Sequence, residues 1–280
     1  MRLPRDRRNA RGPAFAAALI GALGLGVAAR EEPEPANQGV EYWAVQAARD
    51  QIATADAPGT PLTFRKEPAL HWSNPVRKTA DGALFLWTDR GRPEVAVSLF
   101  YYPDNRGKMT VVHEFQTLAL KPLVARHDGR DAWLPGVGLV PRPIPGAPAP
   151  GAESAERLRQ MRALAREFKA TFGDPPDRTE LRALTQPLYR YEVTKSRQDV
   201  LDGALFGFVH TTDPEVLLLI EARPETPGGP MAWHYALARM SGYPLRAEHK
   251  GREVWRADVV TVFGDRTAPY FSINDPAEGP

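Results

Sequence analysis

The chain contains no cysteine. Disulfide staples, thiol nucleophiles and zinc–thiolate sites are therefore excluded, and stability has to come from an apolar core. A strong charge of either sign is also missing. Lys and Arg total 36 and Asp and Glu total 34, and five Arg and one Asp fall within the first 29 residues, so the remainder carries a net charge of −2. That balance lacks the clustered basic surface that phosphate-backbone binding requires, which excludes a nucleic-acid binder. Catalytic and nucleotide signatures are missing too: there is no GxSxG, SxxK, HExxH, GxGxxG or GxxxxGK[ST]. The serines at 73, 98, 154, 196, 241 and 272 stand in no nucleophile elbow.

What is present begins with a leader. Arg2, Arg5, Arg7, Arg8 and Arg11 precede an uncharged stretch from Gly12 to Ala29, and Val27 and Ala29 supply a small-residue cleavage site. Residues 1–29 are thus expected to be a signal peptide of an exported, periplasmic or extracellular protein; the alternative is an uncleaved anchor, the one route by which a membrane would be involved. The Arg7–Arg8 pair lacks the flanking residues of a twin-arginine signal, which favours the general secretory route.

The sequence also repeats itself. DGALF stands at Asp81–Phe85 and again at Asp202–Phe206, and each copy is followed by PEV, at Pro93 and Pro214. At the same offset of 121, His113 meets His234. After one inserted residue the offset becomes 122, PLVARHDGRDAW (Pro122–Trp133) meets PLRAEHKGREVW (Pro244–Trp255), and His113 would then meet Tyr235. Upstream, ARDQIAT meets AREFKAT at offset 117, and EPALHW meets QPLYRY at offset 119. Collinear matches of this length indicate an internal duplication. The expected organisation is a first repeat over 30–135, a proline-rich linker over 136–153, a second repeat over 154–276 and a tail over 277–280.

Within each repeat, apolar spacing predicts a helix, over about Glu41 to Ala55 and over Leu158, Met161, Ala165, Phe168 and Phe172. GALFLWT and EVAVSLFYY flank the turn DRGRP and predict a hairpin from Gly82 to Tyr102, matched in the second repeat around TTDP. A third strand covers KMTVVHEFQTLA and MAWHYALARM, and Gly129 and Gly251 in HDGR and HKGR suit a tight hairpin turn. The fold class expected is α+β: two tandem copies of a helix followed by an antiparallel sheet, cystatin-like or similar, related by a pseudo-twofold.

Candidate residues are few. His113 and His234 lie mid-strand and are the histidine candidates for ligand binding, and Trp133 and Trp255 are aromatic candidates for a groove. His127 and His249 stand at predicted turns, where an exposed polar residue is expected, and Asp81 and Asp202 read as turn chemistry. No catalytic residue, metal ligand or cofactor is assigned.

The strings DGALFLWT, RGRPEVA, HEFQ, QPLYRY, DGALFGFV, TDPEVLLLIEAR, YALARM and REVW together resemble a group of predicted exported bacterial proteins of unknown function. The resemblance implies export and carries no activity or site. The functional expectation is a non-enzymatic binding or structural envelope protein with an unidentified ligand or protein partner. Two alternatives stand beside it: a hydrolase pairing His113 or His234 with a carboxylate such as Glu114 or Asp202, and an assembly protein pairing through open sheet edges.

Overall fold

In the first half of the chain, α1 (Gly39–Ala47) leads into β1 (Asp50–Thr54), β2 (Thr63–Phe64), β3 (Leu70–Asn74), β4 (Thr79–Asp89), β5 (Arg92–Pro103), β6 (Met109–Thr117), β7 (Leu123–His127), β8 (Arg130–Trp133) and β9 (Arg142–Pro143). The second half continues with α2 (Ser154–Ala165), β10 (Phe168–Phe172), β11 (Thr179–Glu180), β12 (Arg182–Ala183), β13 (Tyr189–Arg190), β14 (Asp202–His210), β15 (Asp213–Pro224), β16 (Met231–Arg239), β17 (Leu245–His249), β18 (Arg252–Ala257) and β19 (Tyr270–Pro276). This computed structural model describes residues 39–56, 59–74, 79–103, 106–194, 199–226, 228–262 and 264–276. The expected leader over 1–29 and the tail over 277–280 lie outside the described residues.

The expected α+β class, two tandem cystatin-like copies of a helix on a sheet, is overturned. The structure is mostly antiparallel sheet, 51% strand against 10% helix, with two short helices and several sheets among the described residues. The helical pattern misleads because each one continues into a strand. In β1, Asp50, Ile52 and Thr54 are buried while Gln51 is exposed, and Phe168 and Ala170 are buried while Lys169 is exposed. That is the period of two that a pleated strand dictates. Both strands therefore leave the helix axis and pair with β7 and β17. A sheet, with a short helix beside it, covers what a long helix was expected to cover.

A second cause lies in the edge strands. Sheet order is β19-β6-β5-β4-β2 in one large sheet and β9-β16-β15-β14-β12 in the other. The strand that follows each small hairpin thus crosses to the large sheet of the opposite half: β9 pairs with β16, and β19 pairs with β6. The proline-rich linker supplies β9 at the sheet's edge, where a missing N–H costs no ladder hydrogen bond. The strand-rich halves are interlocked, and residues 39–276 lie within one compact unit.

Register repeats between the halves. β5 and β15 are both twelve residues long and start 121 residues apart, and the preceding strand of each pair carries a bulge at the same offset, at Trp87/Thr88 and Phe208/Val209. Leu99 faces His113 in the first pair, and Ile220 faces Tyr235 in the second. The offset of 122 therefore governs this strand, and His113 corresponds to Tyr235, not to His234. For β1 and β10 the structural offset is 118: Asp50 faces His127, and Phe168 faces His249.

Three apolar clusters form the core. One joins α1, the sheet β1-β7-β8 and one face of β4–β6 through Trp43, Ile52, Phe85, Trp87, Phe115 and Trp133. Its counterpart in the second half includes Met161, Phe168, Phe206, Phe208, Tyr235 and Ala247. The third lies between the two large sheets and takes the alternate residues Leu84, Leu86, Leu205, Leu217 and Leu219. Both faces of the long strands are covered, which is why their sequences read as unbroken apolar runs.

The repeated DGALF is a packing device. Asp81 accepts from Trp43 Nε1 at 2.7 Å and pairs with His71 at 2.6 Å, and Asp202 pairs with Arg157 at 2.8 Å and Arg190 at 2.7 Å. Each aspartate thus ties the helix and the preceding strand to the start of β4 or β14, and both are buried. This corrects their reading as turn residues. The glycine beside each lies under an aromatic ring: a Cβ on Gly82 would stand 2.6 Å from Trp72, and one on Gly203 would strike Tyr191.

Candidate functional site

Four ionisable side chains from four strands meet inside the first half. Asp50 opens β1, His113 sits at the middle of β6, His127 closes β7 and Asp275 comes from β19. Because β1 and β7 pair with Asp50 opposite His127, and β19 lies against β6, backbone register alone brings them together. His113 donates from Nδ1 to one oxygen of Asp50 at 2.7 Å, and His127 donates from Nδ1 to the other at 2.8 Å. On the far side of the rings, Asp275 Oδ2 lies 2.9 Å from His127 Nε2 and 3.7 Å from His113 Nε2. The two imidazoles stand edge to face, 4.9 Å apart, between two carboxylates.

The centre is enclosed. The side chains of Asp50 and His113 are fully buried, while those of His127 and Asp275 are 12% and 16% exposed. His113 Nε2 makes no hydrogen bond with the described residues. Arg49 closes the outer side, 2.6 Å from Asp275 and 2.9 Å from Asp128. Burial works to lower the pKa of His127, but its hydrogen bond to Asp50 and the charges of Asp50 and Asp275 outweigh it and hold His127 above its ordinary value. Three carboxylates, Asp50, Asp128 and Asp275, and one guanidinium, Arg49, thus surround the two imidazoles.

The second half shows what this location looks like without those charges. By register, Phe168 stands in place of Asp50, Tyr235 in place of His113 and His249 in place of His127. Ile144, whose N–H donates to Trp233, stands in place of Asp275, which faces Val111. Phe168, Tyr235 and Ile144 are buried members of the second apolar cluster, and Phe168 stacks on His249 at 4.6 Å. The outer pair survives with its charges reversed: Glu167 bonds Lys250 at 3.1 Å where Arg49 bonds Asp128. His249 turns Nε2 to Glu167 at 2.8 Å.

The sequence candidates scatter. His113 is in the centre, but its partner is Asp50; Glu114, adjacent on β6, points to the opposite face, where it accepts from Tyr270 and burial pushes it up to about 8. His234 is partly exposed, with Nδ1 3.2 Å from the carbonyl of Ala232. Trp133 is fully enclosed and donates to the carbonyl of Ala268, and Trp255 packs on the second cluster. These four do not line a common groove. His127 and His249, expected to be exposed at turns, are the last residues of strands and are largely covered. Asp50 and Asp275 were missed, one because it sat inside an expected helix and the other because a strand from the far end of the chain delivers it. The available signal was the shift to offset 122, which breaks the match of His113 to His234.

The fold and the centre define an antiparallel β protein with a buried carboxylate–imidazole site in one of two register-equivalent halves. No family model, curated protein or solved structure matches the chain, so the functional reading rests on this geometry.

Proposed function

We propose that this is an exported, non-enzymatic binding protein whose ligand is a small cation taken up at the centre of Asp50, His113, His127 and Asp275. The observation that carries the reading is the difference between the halves. The same backbone position is filled with Phe168, Tyr235 and Ile144 in one half, so the fold has no need of buried charge there. Burying ionised groups costs several kcal/mol each before partners repay it, and apolar replacement of such networks is often neutral or stabilising. A centre that the fold does not need, and that gathers carboxylates and imidazoles from four strands, is suited to a cation. Export rests on the basic and apolar leader of residues 1–29.

The test transplants the second half's set into the first: Arg49→Glu, Asp50→Phe, His113→Tyr, Asp128→Lys and Asp275→Ile together, with His127 kept. The variant is expected to fold, to match or exceed the thermal stability of the ligand-free parent, and to lose any cation-induced rise in Tm. A variant that folds but is destabilised by more than about 2 kcal/mol in chemical denaturation would show that the charges serve the fold, and the reading falls. Should the fivefold variant not fold, the single change Asp275→Asn in the partly exposed carboxylate supplies the stability half of the comparison.

A further inference from the structure

Resting on that reading, the geometry points to a divalent transition-metal ion as the cation, held by the carboxylate of Asp50 and the Nδ1 atoms of His113 and His127. One donor atom from each of these three residues lies within 4.8 Å of the other two. Two imidazoles and one carboxylate are the ligands of borderline metals such as Zn²⁺, Co²⁺ and Fe²⁺; Ca²⁺ and Mg²⁺ prefer sets made of oxygen alone.

The distances fit a proton's place that an ion can take. Metal bonds of about 2.0–2.1 Å set neighbouring donors in a tetrahedron about 3.3 Å apart. The Asp50 oxygens stand 2.7 and 2.8 Å from the two Nδ1 atoms, so the carboxylate has to withdraw by about half an ångström. Coordination at Nδ1 moves the remaining proton of each ring to Nε2. Asp275 then faces both N–H groups, at 2.9 Å for His127 and 3.7 Å for His113, and the unpartnered Nε2 of His113 gains a direction to donate. A carboxylate on the outer nitrogen is what fixes ring orientation in metal-binding histidines. Asp275 is therefore the outer partner and Asp50 the ligand. The second half cannot form this set, because Phe168 and Tyr235 occupy two of the three ligand positions.

The experiment titrates the full chain, stripped with a chelator, with Zn²⁺ and with Co²⁺, reading stoichiometry by calorimetry and the Co²⁺ site by visible absorption. One ion per chain is expected, with the d–d bands of a low-coordinate site, while Ca²⁺ and Mg²⁺ give no heat. His113→Ala, His127→Ala and Asp50→Asn are each expected to weaken binding by more than about 100-fold, and Asp275→Asn by about 10-fold. Glu167→Gln and His249→Ala in the other half leave it unchanged. Binding that survives His113→Ala overturns the site, and an Asp275→Asn loss equal to that of Asp50→Asn overturns the assigned ligand set. Absence of stoichiometric metal binding, with a fivefold variant as stable as its parent, rejects the metal and leaves the broader cation reading standing. Absence of binding with a destabilised fivefold variant removes both.

Discussion

Arg92→Met is expected to lower stability by about 3–5 kcal/mol, the cost of leaving buried charges without their counter-ion and a large share of an ordinary domain's total. Arg92 is fully enclosed between the two large sheets. It donates from Nε to Glu221 at 2.7 Å and from Nη1 to Glu94 at 2.9 Å and to the carbonyl of Leu118 at 3.0 Å. Glu221 belongs to the second half and also accepts from Tyr191 and Arg223, each at 2.9 Å. Arg92 therefore bridges two carboxylates from opposite halves at their seam, with Arg223 as a further counter-ion to Glu221. Urea unfolding measures the loss. Adding Glu94→Gln and Glu221→Gln to Arg92→Met is expected to recover much of it, because the uncompensated charge goes with the carboxylates. A single-variant cost below about 1 kcal/mol would refute this account of the seam.

The same network sets a pH dependence. Burial pushes Glu221 up, yet the charges of Arg92 and Arg223 and the hydrogen bonds from Arg223 and Tyr191 more than reverse this, and its folded pKa lies below the ordinary 4.5. A carboxylate held below its unfolded value contributes stability that is present above about pH 4.5 and is lost as pH falls through the folded value. Without Arg92 the depression shrinks and protonation relieves the buried charge. The gap in stability between parent and Arg92→Met is accordingly expected to narrow as pH drops below about 4.5.

Gly91→Ala is the second large effect, expected at more than about 3 kcal/mol, against about 1 kcal/mol for Gly129→Ala. Both glycines hold the second position of a two-residue hairpin turn, with φ of 83° and 74°. Both substitutions meet the strain of a left-handed alanine. The difference lies outside the turn. A Cβ on Gly129 would meet nothing within 4 Å, whereas one on Gly91 would run into the backbone carbonyl of Glu192 and stand 2.8 Å from the N of Val193. The carbonyl of Gly91 also accepts from Glu192 N–H at 3.2 Å and from Tyr189 Oη at 3.0 Å. The turn of the first half is thus docked on the second, and the side chain would separate them. Equal midpoint shifts for the two variants would show that backbone strain alone is being measured.

Turns and long strands were legible because their causes are local. Gly129 and Gly251 take positive φ, with Asp128 and Lys250 before them, as HDGR and HKGR suggested. The hairpin expected over Gly82–Tyr102 spans Thr79–Pro103. The helix boundaries were not legible, since the residues from Asp50 to Thr54 satisfy a helical and an alternating pattern at once, and only a partner strand at β7 decides between them. The same ambiguity hid the centre, because Asp50 and His127 become neighbours through that pairing.

By itself, the sequence determined the repeated strand-and-turn grammar and the need for a cysteine-free apolar core. It also excluded the standard nucleophile and nucleotide motifs. Tertiary structure alone decided which repeat positions correspond, that β9 and β19 cross to opposite sheets, and that two aspartates join two histidines in one half. The reason is range. Turn residues and apolar alternation act over a few neighbours, whereas the contacts from Asp50 to His113 and from His127 to Asp275 span 63 and 148 residues and exist only once sheet register is set.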